Sequence, residues 1–514
     1  MTGYSKHEEK SGSSLPLIST LREVLDPALN PWLVGGAVRD QLAVKVCHDL
    51  DIILPDNAKK AARQIADALN GDFYALDDER GMYRILIPGS DQADMIDISR
   101  FQAESLEADL AMRDFTINAI AVRLHNPTEC IDPLNGRQDL KDKILRPCRS
   151  DSLRMDPVRA IRAARLSLGF NLKMVEGLPS RIRETAPFLS DVSAERKRDE
   201  IFKLLEEPRP ATAIRLLDKV GILCELLPDV PRLKGVTQSS PHTLDVWEHT
   251  LAVVSRLSDL LDLFLNPDMV LGDGGNLTLG LAAGKLGRFR PGLQNHFVER
   301  YNPFRSRRGL CLLGALLHDI AKPMTRAVGS DERVHFYNHE VKGAKRAMEI
   351  ARQMALSESE AAALSSMVTN HLRPRYLSAE HPLPTRRNVY RYFRSAGLSG
   401  VETCLLALAD FLALTNLPPD QEEWTRELER ASVYLEGWFE KHDAWVKPVR
   451  LLSGADIMRI FKLPPSRMIG KILSRLQEAQ ASGEVNSREE ALELAKVVIA
   501  DQRCEDKNDR LDQP

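Results

Sequence analysis

Two aspartates on either side of one leucine, Asp49 and Asp51, are suited to hold the metal ions of phosphoryl transfer. Residues i and i+2 of a β-strand point to the same face, so both carboxylates can bind the same divalent ions. Such ions bridge the attacking oxygen, the phosphate and the leaving group. Gly35-Gly36 stands earlier, where a strand turns into a helix that carries Arg39, and backbone N–H groups there can approach a triphosphate. Either pattern alone is common, but their order within one strand–helix–strand unit favours a functional site.

Four further polar residues of this region are candidates for the same site. Asp97 ends another predicted strand, and it is either a third carboxylate that accepts the proton of an attacking hydroxyl or an exposed strand-end residue. Arg113 and Asp114 precede a predicted helix of apolar residues in which Asn118 is embedded. Asp114 suits a helix N-cap, whereas Arg113 and Asn118 are harder to explain by packing alone.

Asp156 and Arg159 lie i and i+3 on a predicted helix and therefore share one face. A rigid carboxylate beside a guanidinium can read the hydrogen-bonding edge of cytosine or adenine without a template strand. The alternative is structural, because Asp156-Pro157 is also a good helix start. Arg162 and Arg165 continue the same stripe, either as nucleotide-binding residues or as solvated charge.

A second group of residues suits a transition metal. Adjacent His and Asp residues on a helix, joined by distant His and Asp residues, can form a divalent-metal site that activates water for phosphoester hydrolysis. A lone histidine on an apolar helix is more often a core residue, but six candidates in this order favour metal binding. The candidates are His249, His318, Asp319, His339, His371 and Asp410.

The helices and strands predicted around these residues indicate an α+β chain, with a small mixed α/β head followed by a helical body. An amphipathic helix is predicted over 57–70, and only helices are predicted after Pro157, with a loop insertion at 264–308. The predicted strands are Trp32–Val34, Asp49–Leu54, Phe73–Leu76, Tyr83–Ile87 and Met95–Ile98.

The domain boundaries follow from these patterns and from Pro-containing joints. Residues 1–20 are predicted to be a disordered lead-in, because 1–14 are polar and lack the apolar core of a signal peptide. The expected domains are an α/β head at 21–148, a helical neck at 149–235, a metal domain at 236–415 and a helical tail at 416–514.

Composition excludes several classes of protein. The 514 residues carry a net charge of −3, so any nucleic-acid surface must be local. Clusters such as Arg305, Arg307 and Arg375 are candidates to follow phosphates, although most such clusters are solvated faces. We find no apolar run long enough to span a membrane, and the seven scattered cysteines suit a reducing cytoplasm. The sequence does not set an oligomeric state.

The run from Leu33 to Asp40, followed by Asp49-Leu50-Asp51, resembles the opening signature of the class II tRNA nucleotidyltransferase and bacterial poly(A) polymerase family. The resemblance implies a polymerase-β-like head in which Asp49 and Asp51 hold Mg²⁺ and the glycine turn receives the triphosphate. The run around Arg113-Asp114 is similar to the family's second motif, which engages ribose and phosphate. Met112 stands where the family often has another arginine.

The stretch from Asp156 to Leu166 is similar to the family's fourth motif, in which the Asp and the Arg form an amino-acid template for CTP and ATP. Met155 replaces a glutamate that commonly orients that arginine, which weakens the case for full C-C-A specificity. The helix with Glu195 and Arg196 matches the family's brace for the template. The resemblance therefore implies addition of CCA to tRNA from CTP and ATP. Addition of only CC or only A, and poly(A) synthesis, stay open as alternatives.

The six His and Asp residues resemble the HD phosphohydrolase superfamily, in which His249, His318, Asp319 and Asp410 match the metal ligands. His339 and His371 match the extra ligands of two-metal members. In nucleotidyltransferases that carry this domain it is linked to phosphatase or 2′,3′-cyclic phosphodiesterase activity, with Ni²⁺ or Mn²⁺ as the implied metal. A different class of function, a phosphohydrolase whose head only binds RNA, is the further alternative.

Overall fold

The computed structural model describes residues 15–45, 49–87, 94–266, 276–302, 305–377, 382–415 and 417–511. The chain divides into two compact units: Met1–Glu207 with Arg215–Leu226, and Pro208–Ile214 with Leu227–Pro514. The residues predicted to bind a nucleotide all lie in the first unit, and the predicted His-Asp metal site lies in the second.

A seven-stranded mixed sheet forms the centre of the first unit. Its strands are β1 (Trp32–Val34), β2 (Asp49–Leu54), β3 (Asp72–Asp77), β4 (Met82–Ile87), β5 (Asp94–Arg100), β6 (Ala121–Arg123) and β7 (Asn126–Ile131). They are ordered β3-β4-β5-β2-β1-β6-β7, with β2 and β5 parallel and the other neighbours antiparallel. The predicted α+β head and its five strands are confirmed.

Side-chain alternation along β2 separates a core face from a polar face. Leu50, Ile52 and Leu54 are buried in a cluster with residues of the first and third helices. Asp49 and Asp51 therefore project from the opposite face, because neighbouring strand residues point to opposite sides.

Helices complete the first unit. Ser193 caps the helix that begins at Ala194, and its side chain accepts from Arg196 N. The first unit also contains a short pair of parallel strands, β8 (Ile144–Leu145) and β9 (Lys173–Met174). The helices are α1 (Leu15–Val24), α2 (Gly36–Leu42), α3 (Ala58–Leu69), α4 (Leu106–Ala111), α5 (Gly136–Lys141), α6 (Ser152–Met155), α7 (Val158–Gly169), α8 (Leu178–Thr185), α9 (Ala194–Leu205), α10 (Pro210–Lys219), which contributes to both units, and α11 (Leu223–Leu226).

The second unit is mainly helical. Asp245 caps its first long helix by accepting from Glu248 N, which places His249 in the first turn. A hairpin of β10 (Arg326–Val328) and β11 (Val334–Phe336) interrupts the helices. The helices are α12 (Val246–Leu265), α13 (Leu277–Leu286), α14 (Arg290–Val298), α15 (Arg307–Leu317), α16 (Lys322–Thr325), α17 (His339–Gln353), α18 (Glu358–Asn370), α19 (Arg386–Ala396), α20 (Gly400–Leu412), α21 (Gln421–Phe439), α22 (Gly454–Phe461), α23 (Arg467–Ser482) and α24 (Arg488–Leu511).

Several sequence predictions are wrong in detail. A helix begins at Leu15, inside the range assigned to a disordered lead-in, because Ile18 and Leu21 pack into the sheet core; residues 1–14 lie outside the described part. Strands β9, β10 and β11 follow Pro157, where only helices were expected. They are two or three residues long, too short for an alternating pattern to be visible.

The stretch 264–308 is not a loop in its described part, because α13 and α14 lie within it. Arg305 and Arg307, two candidates for phosphate contact, are buried instead. Arg305 forms a two-point ion pair with Glu360 at 2.6 and 2.7 Å, and Arg307 Nη1 lies 2.7 Å from Glu402 Oε1. These arginines hold the unit together rather than face RNA.

Among the residues that the structure describes, one stretch, Arg386–Leu412, qualifies as a candidate membrane span by length and composition alone. It consists of α19, a 3-10 turn and α20, and 83% of its most apolar window is buried inside the structure. That degree of burial is typical of core helices, so the stretch is weak support for a membrane span.

Candidate functional site

Three carboxylates share the polar face of the sheet. The parallel register places Asp97 of β5 directly opposite Asp51 of β2. Asp49 lies on the same face two residues before Asp51. Arg84 of β4 is opposite Asp97 and donates to both of its oxygens at 2.8 Å. The structure thus brings the predicted catalytic aspartates together and adds an arginine that the sequence analysis did not identify.

Asp51 is the carboxylate of this group whose pKa is shifted most clearly. Burial raises its pKa to about 6, with repulsion from Asp97 and Asp49 adding to the shift and Arg113 opposing it. A carboxylate that resists ionisation beside two others gains from a divalent cation, which removes the repulsion. The donor set of this face therefore fits a hard metal ion.

The glycine turn lies against the same carboxylate. Gly35 has φ +70°, and a Cβ at this position would lie 2.7 Å from Asp51 Oδ2 and 2.9 Å from Arg113 Nη1. Gly36 follows as the first residue of α2. The turn needs glycine for both its backbone conformation and its close approach, as a phosphate-binding turn does.

Arg39, Asn118 and Asp114 form a buried chain of hydrogen bonds behind this turn. Arg39 Nη1 donates to Asn118 Oδ1 at 2.8 Å, and Asn118 Nδ2 donates to Asp114 Oδ1 at 2.9 Å. Arg39 also lies over the ring of Phe170 at 4.3 Å. The sequence predicted an α-helix around Asn118, but this residue lies in a 3-10 turn, Thr116–Asn118. Asp114 accepts a hydrogen bond from Phe115 N and does not cap a helix.

Arg162 connects this chain to the helical part of the unit. Its Nη1 donates to Asp114 Oδ2 at 2.9 Å, and its Nε donates to Glu200 Oε1 at 3.0 Å. Arg165 Nε donates to the other oxygen of Glu200 at 2.9 Å. Arg162 and Arg165 are therefore ion-paired and not a solvated stripe, and they link α7 to α9.

The same contacts shift the titration of both acids. Burial opposes ionisation of Asp114, but Arg162 and hydrogen bonds from Asn118 and Phe115 outweigh it and lower the pKa to about 2. Burial likewise opposes ionisation of Glu200, but Arg165 and Arg162 lower its pKa to about 2.

This network should make the first unit sensitive to acid. A carboxyl whose pKa is lowered by folding stabilises the folded state above its ordinary pKa and loses that stabilisation as the pH falls toward its folded pKa. We expect Glu200→Gln to cost about 2–3 kcal/mol of unfolding free energy at pH 6, and the difference from wild type to shrink between about pH 4.5 and pH 2. Urea unfolding at several pH values measures this.

Glu195→Gln is the matched control for that experiment, because Glu195 is exposed on the same helix, α9. An equal and pH-independent loss in both variants would contradict the assignment of Glu200 to the ion pairs with Arg162 and Arg165.

Asp156 and Arg159 lie together at the start of α7. Arg159 Nε is 3.9 Å from Asp156 Oδ2, and Arg196 Nη2 of α9 donates to the same oxygen at 2.7 Å. Asp156 does not cap α7, because Pro157 occupies the N-cap position. The arrangement presents an acceptor and a donor side by side, as recognition of a base edge requires.

The six His and Asp residues of the second unit meet in one buried cluster. His249 Nε2 lies 3.0 Å from Asp410 Oδ1, and His318 Nε2 lies 3.0 Å from Asp319 Oδ2. His339 Nε2 lies 3.4 Å from Asp319 Oδ1. Two groups have ligand atoms close enough to hold a metal ion each: His249, His318 and Asp410, and Asp319, His339 and His371.

The histidine rings are oriented for coordination. Each Nδ1 lies within hydrogen-bond distance of a backbone carbonyl, so each Nε2 faces the cluster. The carbonyls are those of Ala413 for His249 (3.1 Å), Ala315 for His318 (2.8 Å), Phe336 for His339 (2.8 Å) and Val368 for His371 (2.7 Å).

Unsatisfied buried atoms support a metal here. Nε2 of His249, His318 and His339 and both oxygens of Asp319 are buried and make no hydrogen bond of standard geometry. Buried polar atoms that lie close together without well-formed hydrogen bonds are costly unless a ligand joins them. Burial also lowers the pKa of His371 to about 3, which keeps its imidazole neutral. The residues present therefore fit divalent cations.

A cavity of about 570 Å³ opens onto this cluster. Its lining includes four residues that the sequence analysis did not assign to the metal site: Gln238, His242, Lys322 and Arg375. Lys322 Nζ lies 2.6 Å from both Asp319 Oδ2 and Gln238 Oε1. Lys322 follows Asp319 by three residues, and this short spacing could have identified it from the sequence as a neighbour of the metal site. His242 and Gln238 had no such signal.

Three family models match the chain. Residues 31–146 match the poly(A) polymerase head domain, residues 173–233 match a probable RNA- and SrmB-binding site of polymerase A, and residues 279–412 match the HD domain. The last match begins after His249, which the fold nevertheless brings to Asp410.

Curated relatives match over most of the chain. An A-adding tRNA nucleotidyltransferase of Deinococcus radiodurans is 32% identical over 484 residues, which cover 90% of this chain and 96% of the relative. A CC-adding tRNA nucleotidyltransferase of Thermus thermophilus is 31% identical over 474 residues, which cover 89% of this chain and 91% of the relative.

Solved structures share the fold. A CCA-adding enzyme in complex with ATP matches with a TM-score of 0.55 at 19% identity, covering 94% of this chain and 95% of that one. An apo form of a CCA-adding enzyme matches with a TM-score of 0.54 at 20% identity, covering 93% of each chain.

Proposed function

This chain belongs to the tRNA nucleotidyltransferase family, and we propose that it extends the 3′ end of tRNA without a template, using CTP, ATP or both. The observation that carries the proposal is the carboxylate face formed by Asp49, Asp51 and Asp97 beside the Gly35 turn. The 3′-hydroxyl of the RNA attacks the α-phosphate of the nucleotide, and pyrophosphate leaves.

Asp49 and Asp51 would hold two divalent ions, which we propose to be Mg²⁺. Such ions neutralise the triphosphate and activate the attacking hydroxyl. Asp97 lies where a third carboxylate can take the proton of that hydroxyl, provided Arg84 gives up one of its two hydrogen bonds. Gly35 and Gly36 leave room for the triphosphate.

Arg39 and Arg113 are the proposed phosphate contacts, and Asp114 and Asn118 are proposed to hold the ribose side of the nucleotide. Arg113 borders both Gly35 and Asp51, and its Nε makes no hydrogen bond and lies 3.9 Å from Asp109 Oδ2, so it can donate to a phosphate that enters beside Asp51. Asp156 and Arg159 are proposed to read the base. Arg162 and Arg165 attach α7, the helix that carries Arg159, to α9 through their bonds to Glu200.

Gly35→Ala tests the turn. We expect nucleotide incorporation to fall about a hundredfold, because the methyl group displaces Asp51 or Arg113 by a few tenths of an ångström or more. Gly177→Ala is the control, because Gly177 has φ +75° and open space at its Cβ. Gly177→Ala should lose about 1 kcal/mol of unfolding free energy for its left-handed backbone, and Gly35→Ala should lose more, because φ +70° with ψ −133° lies outside the left-handed helical region. Equal activity in the two would contradict the role of the turn.

The domain roles belong to the same proposal. Residues 21–148 form the catalytic head, 149–235 the neck that selects nucleotides and binds RNA, 236–415 the HD domain and 416–514 a tail that contacts tRNA. We propose that the reaction, with tRNA, CTP and ATP as substrates, takes place in the cytoplasm.

The decisive experiment uses tRNA transcripts that end at the discriminator base, at C or at CC. Each is incubated with Mg²⁺ and labelled CTP, ATP or both, and the products are resolved at single-nucleotide length. A stop after C, C and A assigns full CCA addition, and a stop after CC or after A alone assigns a partial activity. The assay must separate these, because A-adding and CC-adding relatives match at nearly equal identity. Long A tails would assign poly(A) synthesis, and no incorporation would overturn the proposal.

A second activity, hydrolysis of phosphoesters at the HD site, is favoured by the two groups of buried ligand atoms in that cluster. His249, His318 and Asp410 would hold one divalent ion, and Asp319, His339 and His371 a second, which we propose to be Ni²⁺ or Mn²⁺. Such ions activate water. Lys322 and Arg375, both on the cavity wall, are positioned to contact the phosphate of a nucleotide or of an RNA 2′,3′-cyclic end.

A further inference from the structure

The side chain of Arg159 is held by a specific set of acceptors. Its Nη1 donates to Ser152 Oγ at 2.8 Å and makes longer bonds to the carbonyls of Arg113 (3.3 Å) and Ser152 (3.4 Å). Its Nη2 donates to the Met112 carbonyl at 3.0 Å. The nearest carboxylate oxygen to Arg159, on Asp156, is 3.9 Å from Nε and makes no such bond.

Position 155 supplies no acid to this set. Met155 is 62% exposed, and its thioether offers no strong acceptor to a guanidinium. Ser152 is 2% exposed, and its hydroxyl is committed on both sides, because it donates to the Asp114 carbonyl at 3.1 Å while accepting from Arg159. Because its proton is directed at the Asp114 carbonyl, the hydroxyl can act only as an acceptor toward Arg159.

These bonds determine which edge of Arg159 is available. Both N–H groups of Nη1 and one of Nη2 face protein acceptors, which leaves Nε and the second N–H of Nη2 as a two-donor edge beside Asp156. Arg196 holds Asp156 from the other side. A base can then meet two donors and one acceptor in a fixed order. Loss of the Ser152 hydroxyl would remove the shortest of the bonds that hold the guanidinium and leave only its bonds to backbone carbonyls.

We propose that Ser152 is a positioning residue for nucleotide selection, which aims Arg159 at the base in the absence of an acidic residue at position 155. The inference rests on the proposed nucleotide transfer. It adds a residue that makes no contact with substrate, and it assigns the backbone carbonyls of Met112 and Arg113 to the same task.

The test compares the ratio of kcat/KM for the preferred nucleotide with that for UTP and GTP. In Ser152→Ala we expect this selectivity to fall about tenfold, because one hydrogen bond to a charged group is lost. Ser167→Ala is the control. Ser167 lies on α7, the helix that carries Arg159, and its hydroxyl also donates to a carbonyl (Leu172 O, 2.7 Å), but the structure gives it no contact with Arg159. Its selectivity should match wild type.

A double-mutant cycle separates positioning from general loosening. Arg159→Lys should lose selectivity by itself, and Ser152→Ala should add nothing in that background, because the hydroxyl acts through the guanidinium. Additive losses, an unchanged ratio in Ser152→Ala, or an equal drop in Ser167→Ala would overturn the inference. A wild-type protein that incorporates no nucleotide would instead overturn the proposed function, so the two failures are distinguishable.

Discussion

Replacing Asp51 with asparagine should reduce nucleotide incorporation by at least about a thousandfold, because the substitution removes a metal-binding oxygen at the reacting phosphate. Asp49→Asn should act in the same direction, since both carboxylates project from one face of β2. RNA affinity should stay within about twofold of wild type, because phosphate contacts by basic residues dominate such binding. Single-turnover incorporation and filter binding with the same labelled tRNA measure the two quantities.

Asp72→Asn is the matched control for this prediction. Asp72 is an exposed aspartate at the start of β3 in the same sheet, and its loss should leave incorporation at the wild-type rate. A normal rate in Asp51→Asn would show that the carboxylate face is not the catalytic site. A parallel loss of RNA binding would point instead to a folding defect.

Asp319→Asn should abolish hydrolysis of 2′,3′-cyclic AMP in protein loaded with Mn²⁺ or Ni²⁺, with an expected loss of at least about a thousandfold. Burial opposes ionisation of Asp319, but His318 and Lys322 outweigh it and hold its pKa well below the ordinary range. Its charge is therefore available to a metal at neutral pH. Metal content measured by mass spectrometry should fall with the activity.

The same variant should transfer nucleotides to tRNA at a rate within about twofold of wild type, because the HD cluster and the carboxylate face belong to different compact units. Asp259→Asn, on the same helix as His249 and partly exposed, is the control that should keep both metal and hydrolysis. Retention of metal and full hydrolysis in Asp319→Asn would refute the assignment of the cluster.

The sequence was sufficient to predict a site residue where its role depends on residues close to it in the chain. The spacing of Asp49 and Asp51 predicted their common face, and the turn at Gly35 predicted its close approach, because strand alternation and positive φ are local properties. The order of the six His and Asp residues was enough to predict one cluster, although α12, α17 and α20 had to be brought together by packing.

The sequence was not sufficient where a residue gains its role from a distant partner. Arg84 looked like any strand arginine, and its pairing with Asp97 depends on the register between β4 and β5. Arg162 was open to being a solvated charge until Glu200 of α9 was seen to hold it. Arg305 and Arg307 looked like an RNA-binding cluster, but the carboxylates that bury them lie far along the chain.

Arg162 holds two acids, Asp114 and Glu200, that come from separate parts of the chain. Removing either acid leaves this network with one positive charge in excess, and removing Glu200 also takes from Arg165 the carboxylate to which it donates. Such positions cannot drift one at a time during evolution, because each single replacement passes through a destabilised intermediate. We therefore expect that descendants of this sequence change Glu200 only together with Arg165, and that Asp114 and Arg162 are inherited as a pair.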